Sequence, residues 1–135
     1  DSLNNIVDPA ALQRALDCIA RHIEPGGSFI FDLNTAYAFE KDMFDQRQRH
    51  PRAKLRYEWK GHYDPDTRLI RVDMEFWRGE EHFSETHWQR AYDESEVREM
   101  LARSGFVVVQ AYHSYSLEPA RARSDRIHYA CKVAS

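Results

Sequence analysis

The sequence predicts an α/β fold with an antiparallel insertion, on three observations. A helical pattern breaks at Pro25-Gly26-Gly27 into the continuous apolar run Phe29-Ile30-Phe31, three stretches of alternating apolar residues fill positions 54–92, and a second capped helix leads through Gly105 into a strand. At 135 residues, 42% hydrophobic and 13% aromatic, the chain suits one compact unit over positions 1–135.

Each element has a local cause. Asp8 before Pro9 is a helix start: the carboxylate caps free N–H groups, and proline loses nothing at the first helical position. Leu12, Leu16, Ile19 and Ile23 then recur on one face, predicting a helix from about Pro9 to His22. Consecutive apolar residues in 28–33 suggest a strand covered on both faces, as in a parallel sheet, with Asp32 and Asn34 at its carboxyl end. Positions 35–52 carry a weak pattern, compatible with a short helix or lid-like segment. The alternating stretches 54–63, 68–77 and 81–92 are joined by the turn-like Asp64-Pro65-Asp66-Thr67 and Arg78-Gly79-Glu80, which predicts a three-stranded meander with one aromatic face. Asp93-Glu94-Ser95-Glu96 resembles a capping box before Val97, Met100 and Leu101. Gly105 ends that helix, and strands follow at 106–115 and 126–134.

Composition excludes several partners. The net charge is -3, with both signs interspersed, so there is no basic stripe for nucleic acid or an anionic membrane. No apolar run approaches the roughly 20 residues of a membrane-spanning helix. The cysteines, Cys18 and Cys131, have neither metal spacing nor a disulfide framework, which points to a reducing, cytoplasmic setting. A chain that opens on Asp1-Ser2-Leu3-Asn4 without Met reads as a fragment of something longer.

Helix, Pro-Gly-Gly turn, strand ending Asp32-Leu33-Asn34, insertion, capped helix closing on Ser104-Gly105-Phe106 and a final strand pair follow in an order that resembles the second half of a class I S-adenosylmethionine-dependent methyltransferase. Ile23 to Gly27 is similar to the family's turn before its fifth strand, and Ala102 to Phe106 to its approach to the sixth. The resemblance implies the C-terminal part of a Rossmann-like sheet, with 54–92 as an inserted cap over the substrate. It implies S-adenosyl-L-methionine as cofactor, with Asp1, Ser2, Leu3 and Asn5 beside it and Asp32 and Asn34 near the reacting centre. The family's Gly-rich loop has no counterpart: the glycines are Gly26, Gly27, Gly61, Gly79 and Gly105, and no G-x-G follows a strand. The isolated chain is therefore not expected to bind cofactor usefully. In the family's strand order the fifth strand would also be left with an open edge, so a homodimer or swapped assembly is expected.

Methyl transfer asks chiefly for proximity and orientation, with a base only where the acceptor must lose a proton. His87 and Tyr37 are the candidate catalytic groups, and Asp32, Asn34, Tyr57 and Trp59 the candidate substrate-binding ones, with His62 a further possibility. For each there is a plainer role: a solvated strand histidine, a packed aromatic, or a cap for Asp32. His82 and His87 fall on opposite strand faces, so no metal is expected. Trp59, Trp77 and Trp88 could cage a cation but more often such residues pack a sheet. Arg121, Arg123 and Arg126 could meet an anion, with a solvated loop as the default. The expected function is methyl transfer to a nitrogen or oxygen of a small molecule; the alternative is a non-catalytic ligand-binding or dimerisation module.

Overall fold

The computed structural model describes residues 2–134. A 3-10 turn, Ser2–Asn5, precedes α1 (Pro9–His22), β1 (Ser28–Asn34) and α2 (Ala36–Glu40). Four strands follow: β2 (Gln46–Gln48), β3 (Arg56–Asp64), β4 (Leu69–Arg78) and β5 (Glu81–Arg90). The chain then runs through α3 (Glu94–Arg103), β6 (Phe106–His113) and β7 (Arg126–Val133).

The first helix forms as its sequence dictates. Asp8 accepts a hydrogen bond from the Ala10 N–H at 3.1 Å, and Leu12 and Leu16 are buried with Ile19 and Ile23 packed beside them. Burying such a side chain contributes about 1.5–3 kcal/mol. The turn into β1 requires its glycines. Gly26 has φ 79°, and a Cβ on Gly27 would lie 2.5 Å from Ile23 Cγ2 and 2.8 Å from the Glu24 carbonyl oxygen.

One sheet has three strands in the order β1-β7-β6, both pairings antiparallel. Phe29, Phe31 and Leu33 of β1 face a core shared with α1, α3 and the inward side chains of β6 and β7. Phe31 stacks on Tyr129 at 5.1 Å and Phe29 on Phe106 at 6.0 Å. The strand expected to be covered on both faces is covered on one face in this chain, and burial of the second requires more protein than these residues supply. Ile30 is 71% exposed, because α1 and α3 cover only the other face. Among the described residues β1 pairs with β7 alone, leaving its other edge open.

The insertion is a second sheet, β2-β3-β4-β5, antiparallel throughout. It has four strands rather than the three expected, because Gln46–Gln48 pairs with β3 across from Tyr57 to Trp59. Those three residues are polar and exposed and lack any alternation that would announce a strand. Its inner face packs Ile70, Val72, Trp59 and Tyr63 against Phe39 of α2. Strand alternation puts Trp59 on this face but Trp77 and Trp88 on the other, so the three indoles form no cage. Trp77 instead stacks on His82 at 5.2 Å.

At α3 the Glu96 carboxylate accepts the Asp93 N–H at 3.1 Å, the reach-back half of a capping box. Arg68, in the turn before β4, binds both Asp93 and Glu96 and ties the insertion to the helix. Gly105 has φ 98°.

Candidate functional site

The two sheets meet at the carboxyl end of β1, and a cleft of about 280 Å³ opens there. One wall carries Asn34, Phe44 and Trp59; the other carries Tyr115, Asp125 and Arg126 from the β6–β7 connection and the start of β7. Asn34 and Arg126 are direct partners in the β1–β7 register, so strand pairing itself brings the walls together.

Two hydrogen-bonding anchors fix this junction. Asn4 is fully buried. Its Nδ2 donates to the carbonyls of Asn34 and Arg90, each at 3.1 Å, and its Oδ1 accepts the Asn34 N–H at 2.9 Å. The 3-10 turn is thereby fastened to the ends of β1 and β5. Thr35 does the same for the opposite wall: its Oγ1 donates to the Ser124 carbonyl at 2.6 Å and accepts the Ala38 N–H at 3.2 Å, while its own N–H donates to the Asp125 carbonyl at 3.1 Å. One threonine thus caps α2 and holds the loop leading into β7.

The polar groups of the cleft differ in how they are satisfied. Arg126 Nη1 donates to Asp32 Oδ2 and to the Tyr115 hydroxyl, each at 2.9 Å. Its guanidinium lies over the Tyr115 ring, 5.6 Å from the centroid, and that ring rests on His128 at 4.7 Å. Arg126 is therefore a charge neutralised by Asp32 and pinned by an aromatic, not an open anion site. Asn34, only 5% exposed, is the contrast: its Nδ2 is buried with no hydrogen-bond partner among the described residues. The indole Nε1 of Trp59 is likewise buried and unpaired. A buried donor in that state costs about 1–3 kcal/mol unless something supplies an acceptor.

The structure distributes the candidate residues unevenly. Asn34 and Trp59 line the cleft, and Asp32 stands behind it in its ion pair with Arg126. Tyr57 shares a strand face with Trp59, its ring centroid 5.7 Å away, but lies outside the lining. Tyr37 is half-buried on α2 with the Lys41 ammonium over its ring at 6.0 Å. His87 is 49% exposed on the edge strand β5 and bonds Glu85 at 3.0 Å. His62 pairs with Asp73 at 3.3 Å on the outer face of the insertion. Neither histidine nor Tyr37 lines the cleft. Sequence reasoning did not reach Asn4, Phe44, Tyr115 or Asp125. Asn4 and Asn5 are indistinguishable by type, and only the folded contacts separate the buried one from the exposed one. The proximity of Asp125 to Arg126 was the one available signal for that loop.

Of the residues expected beside a cofactor, the side chains of Leu3 and Asn5 are described. Leu3 packs into the hydrophobic core and Asn5 is exposed, while Asp1 and the side chain of Ser2 lie outside what is described. No glycine-rich loop follows a strand. What the chain does provide is a cleft with an apolar wall of Phe44 and Trp59 and polar groups from Asn34, Tyr115, Asp125 and Arg126. No group of three or more His, Cys, Asp or Glu side chains is placed to hold a metal ion among the described residues, and no helix of them is long and apolar enough to cross a membrane.

No protein-family model matches the chain. It is 26% identical over 133 residues to the Bacillus subtilis (strain 168) protein named "Putative methyltransferase YqeM", an alignment covering 96% of this chain and 54% of that protein. In three dimensions it matches an S-adenosylmethionine-dependent methyltransferase from Clostridium acetobutylicum ATCC 824 with a TM-score of 0.85 and 25% identity, over 100% of this chain and 56% of that one. Streptomyces venezuelae DesVI shares the fold, with a TM-score of 0.71 and 18% identity over 100% of this chain and 56% of its own. The chain thus spans about half the length of the relatives it matches.

Proposed function

We propose, for a chain with the fold of the C-terminal half of the S-adenosylmethionine-dependent methyltransferases, that it forms the acceptor-binding part of such an enzyme, acting on a nitrogen or oxygen of a small molecule. The observation that carries this reading is the cleft at the end of β1, roofed by the inserted sheet and lined by a buried amide with no partner of its own. Support also comes from structural neighbours, which include the sugar N-methyltransferase KedS8 of Streptoalloteichus sp ATCC 53650, a likeness of fold at 17% identity.

S-adenosylmethionine supplies the methyl group in this family; this chain's own residues bind and orient the acceptor. Phe44 and Trp59 give the cleft an apolar wall that excludes water, and Asn34 fixes a polar group of the acceptor at the end of β1. Asp125 stands in the facing wall, where a carboxylate can take the proton that an N–H or O–H acceptor releases. Tyr37 and His87 remain candidates only if the intact protein brings them closer to the cleft.

The test has two arms. The full-length protein, incubated with methyl-labelled S-adenosylmethionine and a panel of small amines and alcohols, should transfer label to at least one; no transfer to any would count against the reading. The chain alone, titrated calorimetrically with S-adenosylhomocysteine, should show no measurable heat of binding.

A second reading, a dimerisation module, is favoured by one observation: the open β1 edge beside the exposed Ile30. Light scattering at high concentration separates it, since a strictly monomeric chain would eliminate dimerisation.

A further inference from the structure

Among the groups lining the cleft, the Asn34 amide and the Trp59 indole N–H are buried donors with no partner among the described residues, and only Asn34 is polar throughout its side chain. Its backbone N–H and carbonyl are both taken by Asn4, at 2.9 and 3.1 Å, so the main chain is held whatever the side chain does. The side chain itself is buried, lines the cleft, and leaves Nδ2 without a hydrogen-bond partner among the described residues. Its register partner Arg126 can only donate, and spends its Nη1 on Asp32 and Tyr115. Nothing about folding therefore explains a polar residue at this position.

We propose that Asn34 is a specificity-determining residue that holds a hydroxyl of the acceptor, and that the cleft selects hydroxylated amines or neutral polyols over carboxylated or phosphorylated molecules. The inference rests on the methyl-acceptor reading above and deepens it. A hydroxyl both donates and accepts, so it satisfies the amide whichever of its two ends faces the cleft. The charge preference follows from the walls. Arg126 is the one cation among the residues lining the cleft, and Asp32 already neutralises it. Asp125 adds a carboxylate on the same wall, for which no hydrogen bond or ion pair of the side chain is found among the described residues. An anionic ligand would meet two carboxylates for one guanidinium; an ammonium would meet the reverse balance.

The probes are trans-2-aminocyclohexanol, cyclohexylamine and trans-2-hydroxycyclohexanecarboxylate, which vary the hydroxyl and the charge on one ring. Each is titrated into the isotopically labelled chain while the side-chain amide signals of Asn34 are followed by NMR. The amino alcohol should move the Asn34 side-chain signals saturably and bind about tenfold tighter than cyclohexylamine, the difference expected of one buried hydrogen bond. The hydroxy acid should bind weakest. In Asn34→Leu the backbone spectrum should be retained, and the amino alcohol and the plain amine should bind alike. An unmoved Asn34 signal, a retained hydroxyl preference in Asn34→Leu, or tightest binding by the hydroxy acid would each overturn the proposal. The same panel offered to the full-length protein with labelled donor keeps the two readings apart. Methylation with unchanged hydroxyl selectivity in Asn34→Leu defeats this inference and leaves methyl transfer standing; hydroxyl-selective binding without methylation does the opposite.

Discussion

Replacing Asn4 with alanine should be among the most damaging single changes available at this surface-proximal turn. The side chain is fully buried and makes three hydrogen bonds to main-chain groups: two donated to the Asn34 and Arg90 carbonyls, each at 3.1 Å, and one accepted from the Asn34 N–H at 2.9 Å. At about 1 kcal/mol net for each bond, their loss amounts to about 3 kcal/mol, and stranding the Asn34 N–H without a partner could add to it. That is a large share of the roughly 5–15 kcal/mol by which ordinary domains are stable. For a chain of this size it corresponds to a fall in thermal midpoint of about 10 °C. Urea titration followed by far-UV circular dichroism reads the loss directly, and Asn5→Ala is the internal control. Asn5 is exposed, so its replacement should change stability by less than about 0.5 kcal/mol. Asn4→Asp, which keeps the acceptor but turns both donor contacts into carboxylate–carbonyl repulsions, should be no better than alanine. A loss below about 1 kcal/mol in Asn4→Ala, or equal losses at positions 4 and 5, would refute the claim that this one side chain fastens the 3-10 turn to the cleft.

Three further outcomes follow from other contacts. Gly61→Ala would put a Cβ 2.9 Å from Ile70 Cδ1 and 3.3 Å from Phe44 Cβ, so it should cost about 1–3 kcal/mol in chemical denaturation and displace a wall of the cleft; an unchanged midpoint would show that Ile70 can yield. Burial pushes the Cys131 thiol up to about 11, from 9.0 when unfolded. The unfolded chain therefore releases its proton first, so the Cys131 contribution to stability is level below pH 9 and declines as pH rises from about 9 towards 11, which a thermal melt series compared with Cys131→Ala would register. The same burial predicts that iodoacetamide labels the exposed Cys18 alone until the protein is unfolded, so double labelling of the native chain by mass spectrometry would contradict the packing.

Much of this architecture could be read from the sequence because its signals are local. The Asp8-Pro9 start, the leucines of α1, the Pro25-Gly26-Gly27 turn and the Glu96 reach-back each act within a few residues, and each reappears in the structure at its expected position. Pattern failed where tertiary partners decide. Consecutive Phe29-Ile30-Phe31 signals apolar contact on both faces but cannot say which face α1 and α3 take; they cover Phe29 and Phe31, and Ile30 is exposed in this chain. The strand Gln46–Gln48 exists because β3 offers it an edge, and nothing in Gln-Arg-Gln requires one. The cleft was legible in part. Asn34 and Trp59 could be singled out by their places on β1 and the insertion, whereas Tyr115 and Asp125 sit in a connection that only strand register brings opposite Asn34. Asn4 carried no signal, since burial distinguishes it from Asn5 and composition does not.

The position of β7 has a consequence for how the molecule comes into being. Among the described residues it is the middle strand of its sheet, yet it is synthesised after every other element described, and its pairing with β1 spans nearly a hundred residues of intervening chain. Pairings so distant in sequence are slow to form, because loop closure must be completed before any contact rewards it. Until Arg126–Val133 emerges and docks, β1 and β6 have no common partner, Arg126 has not reached Asp32, and one wall of the cleft does not exist. The inserted sheet, built from neighbouring hairpins, suffers no such delay. Assembly should therefore be ordered in time, with the roof of the cleft waiting for its floor.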